Sequence, residues 1–200
     1  RIDYELLAEY SEGLIGLSAC IGGDIPSYIL EGNYNAAKKL ALRLNSILGQ
    51  DNFYLELQDH GLEEQRRSNR ELARLSRETG IPLVATNDVH YVSREDAEAH
   101  DVLLCIQTGK TVDDENRMRF GTREFYLKSQ EEMESIFHEY PEAISNTARI
   151  AKRCNVEFDF ESTHLPKFDV PEGYTPYEYL RELCIRGMER KYRHIDDAIT

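Results

Sequence analysis

Three short apolar segments alternate with two amphipathic segments, and this alternation most constrains the fold of the chain. In chain order the five segments are 14–18, 33–48, 53–57, 63–79 and 82–86. Asn33 predicts the start of a helix, whereas Gly49 and Gly80 predict the ends of the two helices. A strand–helix–strand–helix–strand order is typical of βαβ units, whose strands are parallel. The first half of the chain is therefore predicted to be an α/β domain.

The second half of the chain has helical patterns and no further strand. A helix is predicted from Ser93 to about Gln107, and residues 109–122 are polar, charged and irregular. Ser129 and Thr175 are each followed three residues later by Glu, which predicts capping boxes at two helix starts. Pro141 suits the first position of another helix. We expect a mainly helical extension of the α/β domain.

The overall charge limits the classes of partner. The chain has 24 Lys and Arg against 37 Asp and Glu, which gives a formal charge of −13. Because Lys and Arg drive phosphate binding, nucleic acid is not expected to cover the whole surface. A basic stretch at 181–193 leaves open a local contact with DNA or a solvated face. No run of 18 apolar residues occurs, so no membrane span is expected.

An acid and an imidazole follow the third predicted strand, in the sequence Thr-Asn-Asp88-Val-His90. The carboxyl ends of parallel strands are where α/β folds place their chemistry. In an extended chain Asp88 and His90 point to the same side. A carboxylate beside an imidazole suits a divalent metal, with ligands about 2.0–2.2 Å from the ion. A helix-capping Asp and a hydrogen-bonded His are the structural alternatives.

Three more residues lie at the ends of the first two strands. Cys20 follows the first strand and would meet Asp88 and His90 at one edge of a parallel sheet, where a thiolate could complete a metal site. A small buried residue before a Gly–Gly turn is the alternative for this cysteine. His60 points toward the same edge, as a ligand or a supporting residue. Glu56 faces either the edge or the solvent.

Seven blocks of the sequence carry a resemblance to known proteins. They are LSACIGGDIP at 17–26, YLELQDHG at 54–61, VATNDVHY at 84–91, AHDVLLCIQTGK at 99–110, FYLKS at 125–129, ARIAKRC at 148–154 and LPKF at 165–168. These blocks resemble the α subunits of bacterial DNA polymerase III, the replicative C-family DNA polymerases, in the later part of their PHP (polymerase and histidinol phosphatase) domain. Each block alone is modest, but their order and number make the match specific, and they cover nearly the whole chain.

The resemblance implies that the chain is a fragment of a longer protein. The implied fold is the later strands and helices of a PHP-type distorted (β/α)7 barrel, followed by a mainly helical extension. Residues 1–108 would be the C-terminal portion of the PHP domain and 109–165 its helical extension. Residues 166–200 would form a connector and the start of the polymerase palm.

The resemblance also implies ligands and ions. Cys20, Asp88 and His90 match metal ligands of the PHP domain, where zinc or manganese would bind. His60 matches no ligand position of the family, so its place at the strand end, like that of Glu56, leaves it as a candidate for a supporting role behind the ligands. The family's earlier ligands are absent from this chain, so we expect a partly filled or empty site in the fragment alone. The catalytic carboxylates of the polymerase, which hold Mg²⁺, would lie outside this chain.

The implied activity is DNA-directed DNA polymerisation by the longer protein, with the fragment inactive alone. The PHP region would support the polymerase and could carry metal-dependent 3′→5′ exonuclease or phosphoesterase chemistry. The implied partners are template-primer DNA, deoxynucleotides and replisome subunits such as the sliding clamp and the proofreading subunit, in the cytoplasm and without a membrane. The alternatives are a stand-alone PHP phosphoesterase and a non-catalytic PHP scaffold that binds replisome partners.

Overall fold

A computed structural model describes residues 2–163 and 165–192. The chain divides into two compact units, Arg1–Asn155 and Val156–Thr200. The first unit contains the sheet and most of the helices. Among its described residues, the second contains one helix, α8 (Pro176–Lys191). The basic position Arg193 and the rest of 193–200 lie outside the described residues.

The first unit has a three-stranded parallel sheet. Its strands are β1 (Gly16–Leu17), β2 (Phe53–Leu57) and β3 (Leu83–Ala85), in the order β1-β2-β3. The predicted α/β class and parallel strands are confirmed. The helices of this unit are α1 (Tyr4–Glu9), α2 (Asp24–Leu30), α3 (Tyr34–Leu48), α4 (Glu63–Thr79), α5 (Ala97–Thr108), α6 (Gln130–Ile136) and α7 (Pro141–Arg153).

The core lies around β2, the central strand. Leu55 and Leu57 are fully buried, in a cluster whose other buried members lie mainly on α2, α3, α4 and β3. Burial of these side chains is the main force that holds the helices on the sheet. The buried side chain of Asn146 on α7 adds a specific contact, because its Nδ2 donates to the carbonyl of Leu83 at 2.7 Å.

Helix α2 was not predicted from the sequence, which indicated only a tight loop at the two glycines. Gly23 precedes this helix, and a Cβ atom there would lie 2.7 Å from the carbonyl oxygen of Ser18. Glycine is therefore needed for the chain to turn closely past the end of β1. Pro26 is tolerated because it lies in the first turn of α2, where its missing N–H has no helical partner.

Helix starts were predicted more accurately than helix continuity. The capping boxes at Ser129 and Thr175 and the proline start at Pro141 are confirmed. The single helix predicted from Ser93 begins instead with a 3-10 turn at Arg94–Asp96 and then continues as α5. Ser93 caps that turn together with Asp96, so the start was placed correctly and the type of the first turn was not.

The boundary between the two compact units does not coincide with the predicted boundary between residues 108 and 109. Helix α7 packs directly against β3, which joins residues on both sides of that position in one unit ending at Asn155. The assignment of 1–108, 109–165 and 166–200 to parts of a larger protein stays a prediction. In the described residues no helix combines the length and the apolar character needed to cross a bilayer.

We expect Leu55→Ala to lower the free energy of unfolding by about 2–5 kcal/mol, because it leaves a cavity in the most buried strand. Leu42→Ala is the matched control, since Leu42 on α3 is 45% exposed, and we expect it to cost less than about 1 kcal/mol. Urea unfolding followed by circular dichroism measures both values. Equal losses for the two variants would show that β2 is not the centre of the core.

Candidate functional site

The loops that follow the three strands form what we call the rim, residues 18–20, 58–60 and 86–91. The carboxylate of Glu56 on β2 connects them. Its Oε2 accepts from the backbone N–H of Ala19 at 3.1 Å, and its Oε1 accepts from Gln58 Nε2 at 2.9 Å and from the hydroxyl of Thr86. Glu56 therefore faces the rim, where its side chain remains partly exposed.

The end of β1 is fixed to β2 by a second set of contacts. Ser18 is buried, and its hydroxyl oxygen accepts from the backbone N–H of Glu56 at 2.8 Å. The next residue, Ala19, has a φ of +65°, which costs energy for a residue other than glycine. The hydrogen bonds from Ser18 and Glu56 hold this conformation in place and direct the chain toward Cys20.

Asp88 and His90 lie side by side on the rim. The distance from His90 Nε2 to Asp88 Oδ1 is 3.5 Å, and each side chain is about one-third exposed. The sequence argument assumed an extended chain, but β3 ends at Ala85 and Asp88 has a φ of +46°. The two side chains still lie next to each other. The backbone N–H of His90 donates to the carbonyl of Phe125 at 2.8 Å, which fixes the position of His90 after the turn at Asp88.

His60 holds the chain just before Asp88. Its ring is 1% exposed and stacks on Phe125 with centroids 3.8 Å apart. Gln65 accepts from the backbone N–H of His60 through Oε1, so its Nε2 donates to His60 Nδ1 at 2.7 Å. His60 Nε2 then donates to the carbonyl of Asn87 at 2.7 Å. Both nitrogens are occupied, and His60 supports the rim from behind.

Burial lowers the pKa of His60 below its ordinary value, although the hydrogen bond to the Asn87 carbonyl opposes this shift. The neutral imidazole is the form that the two hydrogen bonds require, because one ring nitrogen accepts while the other donates. Protonation of this ring would place a donor opposite the Gln65 amide and a charge in the core.

An aromatic cluster surrounds His90 and was missed by the sequence analysis of the site. The ring of Phe120 lies edge-on to His90 at a centroid distance of 4.7 Å, and Phe125 and His100 each lie at 5.5 Å. From the sequence, residues 109–122 are predicted only as an irregular segment. The signal that could have found the cluster is the pair of phenylalanines in the block from 120 to 125.

Cys20 lies in a small cavity with Glu56, Gln58 and Ser68, and neither Asp88 nor His90 lines this cavity. Within 2–163 and 165–192 no group of three or more His, Cys, Asp and Glu side chains is placed to hold a metal ion. The expected convergence of Cys20 with the other two residues is thus not seen. A metal role for the three residues stays a prediction.

Asp88 and His90 alone fit two positions of a metal site. Two ligands at about 2.1 Å from a tetrahedral ion are about 3.4 Å apart, and the separation of the two atoms in the structure is 3.5 Å. A carboxylate oxygen and an imidazole nitrogen are also the donor types that zinc and manganese accept. The pair therefore has the spacing of adjacent ligands, whereas Cys20 does not join it.

Comparisons with known proteins identify what the chain resembles. A PHP domain family model matches residues 1–60. Proteins named DNA polymerase III subunit alpha match all of this chain at 44% identity in Treponema pallidum, 47% in Borreliella burgdorferi and 45% in Thermus aquaticus. The chain spans 17% of the length of each of these relatives. The resemblance to bacterial DNA polymerase III α subunits is confirmed.

We expect the chain to lose stability as the pH falls from about 8 to about 5, partly through His60. The pKa of His60 is lower in the folded protein than its ordinary value of 6.5. As the pH falls through 6.5, the unfolded chain therefore binds more protons than the folded chain. The contribution of His60 to the free energy of unfolding is complete above its pKa in the unfolded chain and is lost as the pH falls through its lower pKa in the folded chain. Urea unfolding across this range measures the slope.

His60→Gln should reduce that slope and cost about 1–3 kcal/mol at neutral pH, because it breaks buried hydrogen bonds. His138→Gln removes an exposed imidazole and should leave the slope unchanged. An unchanged slope in His60→Gln would contradict the role given to His60.

Proposed function

We propose that the chain is part of a bacterial DNA polymerase III α subunit and forms the later part of its PHP region. The support is similarity along the whole chain to proteins of that name, together with the PHP match at its beginning. In this proposal the parallel sheet is one portion of a distorted (β/α)7 barrel. The longer protein would carry out DNA-directed DNA synthesis, using carboxylates and Mg²⁺ outside this chain.

Within this chain, we propose that the Asp88–His90 pair holds a divalent ion, zinc or manganese. The observation that carries this is their 3.5 Å separation beyond the carboxyl end of β3. When bound, such an ion activates a water and neutralises charge on a phosphate, which suits 3′→5′ exonuclease or phosphoesterase chemistry. Cys20 stands apart from the pair, and its role as a ligand depends on ligands from the longer protein.

The protein's own residues position the pair. Asp88 supplies the carboxylate, and His90 presents Nε2 toward it while Phe120 and Phe125 pack around its ring. His60 fixes the carbonyl that precedes Asp88. Supporting contacts of this kind orient metal ligands and raise the affinity of a site.

The partners and location follow from the same proposal. The longer protein would bind template-primer DNA and deoxynucleotides, and it would contact other replisome subunits such as the sliding clamp and the proofreading subunit. It would work in the cytoplasm. The names of the related proteins support the DNA polymerase assignment, whereas the sliding clamp, the proofreading subunit and the location rest on the family resemblance alone. All of these assignments concern the longer protein rather than any surface of this chain.

A non-catalytic PHP scaffold is the second candidate. The observation that favours it is the lack, among the described residues, of a cluster of three metal-binding side chains. A scaffold would keep the fold of the rim and bind replisome partners without hydrolysing phosphoesters. A stand-alone PHP phosphoesterase is the third candidate, and it would hydrolyse phosphoesters but incorporate no deoxynucleotides.

We expect Asp88→Asn in the full-length protein to reduce manganese-dependent 3′→5′ hydrolysis of labelled single-stranded DNA by about 100-fold, because it removes a ligand carboxylate. Asp113→Asn is the control, since Asp113 is an exposed acid of the 109–122 segment. It should hydrolyse at the unaltered rate. Primer extension by the same samples tests the polymerase proposal, and a full-length protein that incorporates no deoxynucleotide would overturn it.

Undiminished hydrolysis by Asp88→Asn would contradict the metal role of this residue. Primer extension without any hydrolysis in the unaltered protein would favour the scaffold.

A further inference from the structure

A short segment after α7 has apolar and acidic side chains in strict alternation. Residues 156–161 read Val-Glu-Phe-Asp-Phe-Glu. All six residues are exposed, and the apolar ones are 72% exposed at Val156, 74% at Phe158 and 90% at Phe160. Single exposed apolar residues are common on protein surfaces, whereas a row of large ones marks a place where a partner binds. We call residues 156–160 the alternating segment.

The alternating segment leaves α7 as an extended chain. Helix α7 ends at Arg153, and the next residue, Cys154, has a φ of −81° and a ψ of 107°. The ring centroids of Phe158 and Phe160 are 6.0 Å apart, which fits residues i and i+2 on the same side of a strand. The apolar side chains therefore share one face, and the acids between them belong to the other face.

An aspartate ends the extended stretch. Oδ1 of Asp159 accepts from the backbone N–H groups of Glu161 at 2.9 Å and Ser162 at 3.1 Å. Aspartate side chains that accept from the backbone two residues further on form a turn. The alternating segment thus has the length of one ordinary short strand.

The backbone of the alternating segment is available for pairing. Within residues 2–163 and 165–192, no backbone–backbone hydrogen bond uses an N–H or C=O group of residues 156–160. Free backbone groups and alternating side chains are what an extended peptide offers when it adds a strand to an open sheet edge. In that mode the backbone hydrogen bonds supply affinity, and the apolar face packs on the receiving sheet.

The charges restrict which sheet edge can receive the segment. Glu157 and Asp159 lie on one face, and Glu161 follows them. Two copies of the segment paired with each other would place acids opposite or near acids, which destabilises a strand pair. Lys or Arg side chains on the receiving strand would instead attract them. The charges therefore favour an edge with basic side chains over a second copy of this chain.

The proposed longer protein can supply such an edge within the same molecule. This chain spans 17% of the length of its relatives from Treponema pallidum and Borreliella burgdorferi. A sheet joined to the segment by the same polypeptide has a high effective concentration. A strand of five residues can therefore be held there, although it would bind a separate protein weakly.

We propose that residues 156–160 add a strand to an open sheet edge that carries Lys or Arg, in a part of the longer protein outside this chain. Val156, Phe158 and Phe160 pack on the apolar face of that sheet. The inference goes beyond the proposed function, and it uses only the premise that this chain belongs to a longer protein.

Hydrogen exchange followed by mass spectrometry tests the pairing, on the purified full-length protein and on this chain by itself. In the chain by itself, we expect the amides of residues 156–160 to exchange as fast as those of an unstructured peptide. In the full-length protein they should exchange at least about 100-fold more slowly, because pairing protects their N–H groups.

Matched variants of the full-length protein test the two faces. Val156→Ser should reduce the protection about tenfold, since it removes an apolar contact. Val92→Ser is its control, because Val92 is 74% exposed and lies outside the segment, and it should leave the protection of 156–160 unchanged. Glu157→Lys should reduce the protection about three- to tenfold, whereas Glu172→Lys, at an exposed acid outside the segment, should not.

Photocross-linking identifies the receiving strand. The photoreactive residue p-benzoylphenylalanine in place of Phe160, in the full-length protein, should form an adduct within the same molecule on a peptide outside this chain. That peptide should contain Lys or Arg. An adduct confined to residues 1–200, or one that joins two molecules, would overturn the proposal.

Three exchange results would also overturn it. They are equal rates for residues 156–160 in the two proteins, slow exchange in this chain by itself, and protection that is lost on dilution of the full-length protein. Primer extension by the same samples keeps the inference apart from the proposed function. Extension with unprotected 156–160 would reject the strand pairing alone, and protection without extension would reject the polymerase activity alone.

Discussion

The carboxylate of Glu56 is the interaction on which the rim depends. Strand β2 is the central strand, and one side chain at its end accepts hydrogen bonds from the residue after β1 and from the residue after β3. A charged acceptor forms stronger hydrogen bonds than a neutral one, and more so where water is partly excluded. Strands β1 and β3 are only two and three residues long. One backbone hydrogen bond follows each of them, from Ser18 to Tyr54 and from Thr86 to Leu57, and the Glu56 carboxylate adds side-chain contacts to the same two loops.

The position of Asp88 follows from this anchoring. Thr86 is fixed by Glu56, and the next residue is held twice, since Asn87 donates its side-chain amide to the carbonyl of Tyr126 at 2.6 Å and accepts from His60. With both preceding residues held, Asp88 is kept in a left-handed conformation that it would not prefer alone. Strain of this kind, stabilised by its surroundings, is common where a side chain must be held for binding or chemistry.

The sequence predicted the elements that have strong local signals. The bounds of β2, the α3 start at Asn33 and the α4 end at Gly80 were all found, because hydrophobic periodicity and capping residues act within a few positions. The pairing of Asp88 with His90 was also found, although the extended geometry assumed for it was wrong.

What the sequence could not predict depends on contacts between distant positions. Phe120 and Phe125 reach His90 from an irregular segment whose path is set by hydrogen bonds to the rim. Cys20 follows a residue of positive φ, which turns it into a cavity beside Glu56. Such placements depend on backbone conformations and tertiary packing that a single sequence does not encode in any local pattern.

In our proposal, this rim presents Asp88 and His90 as adjacent ligands of one divalent ion. Crystals of the full chain grown with Mn²⁺, measured at a wavelength where manganese scatters anomalously, test it most directly. We expect an anomalous peak about 2.0–2.2 Å from both the Asp88 carboxylate and the His90 imidazole. Manganese bound only to exposed carboxylates elsewhere, with no peak between these two side chains, would contradict it.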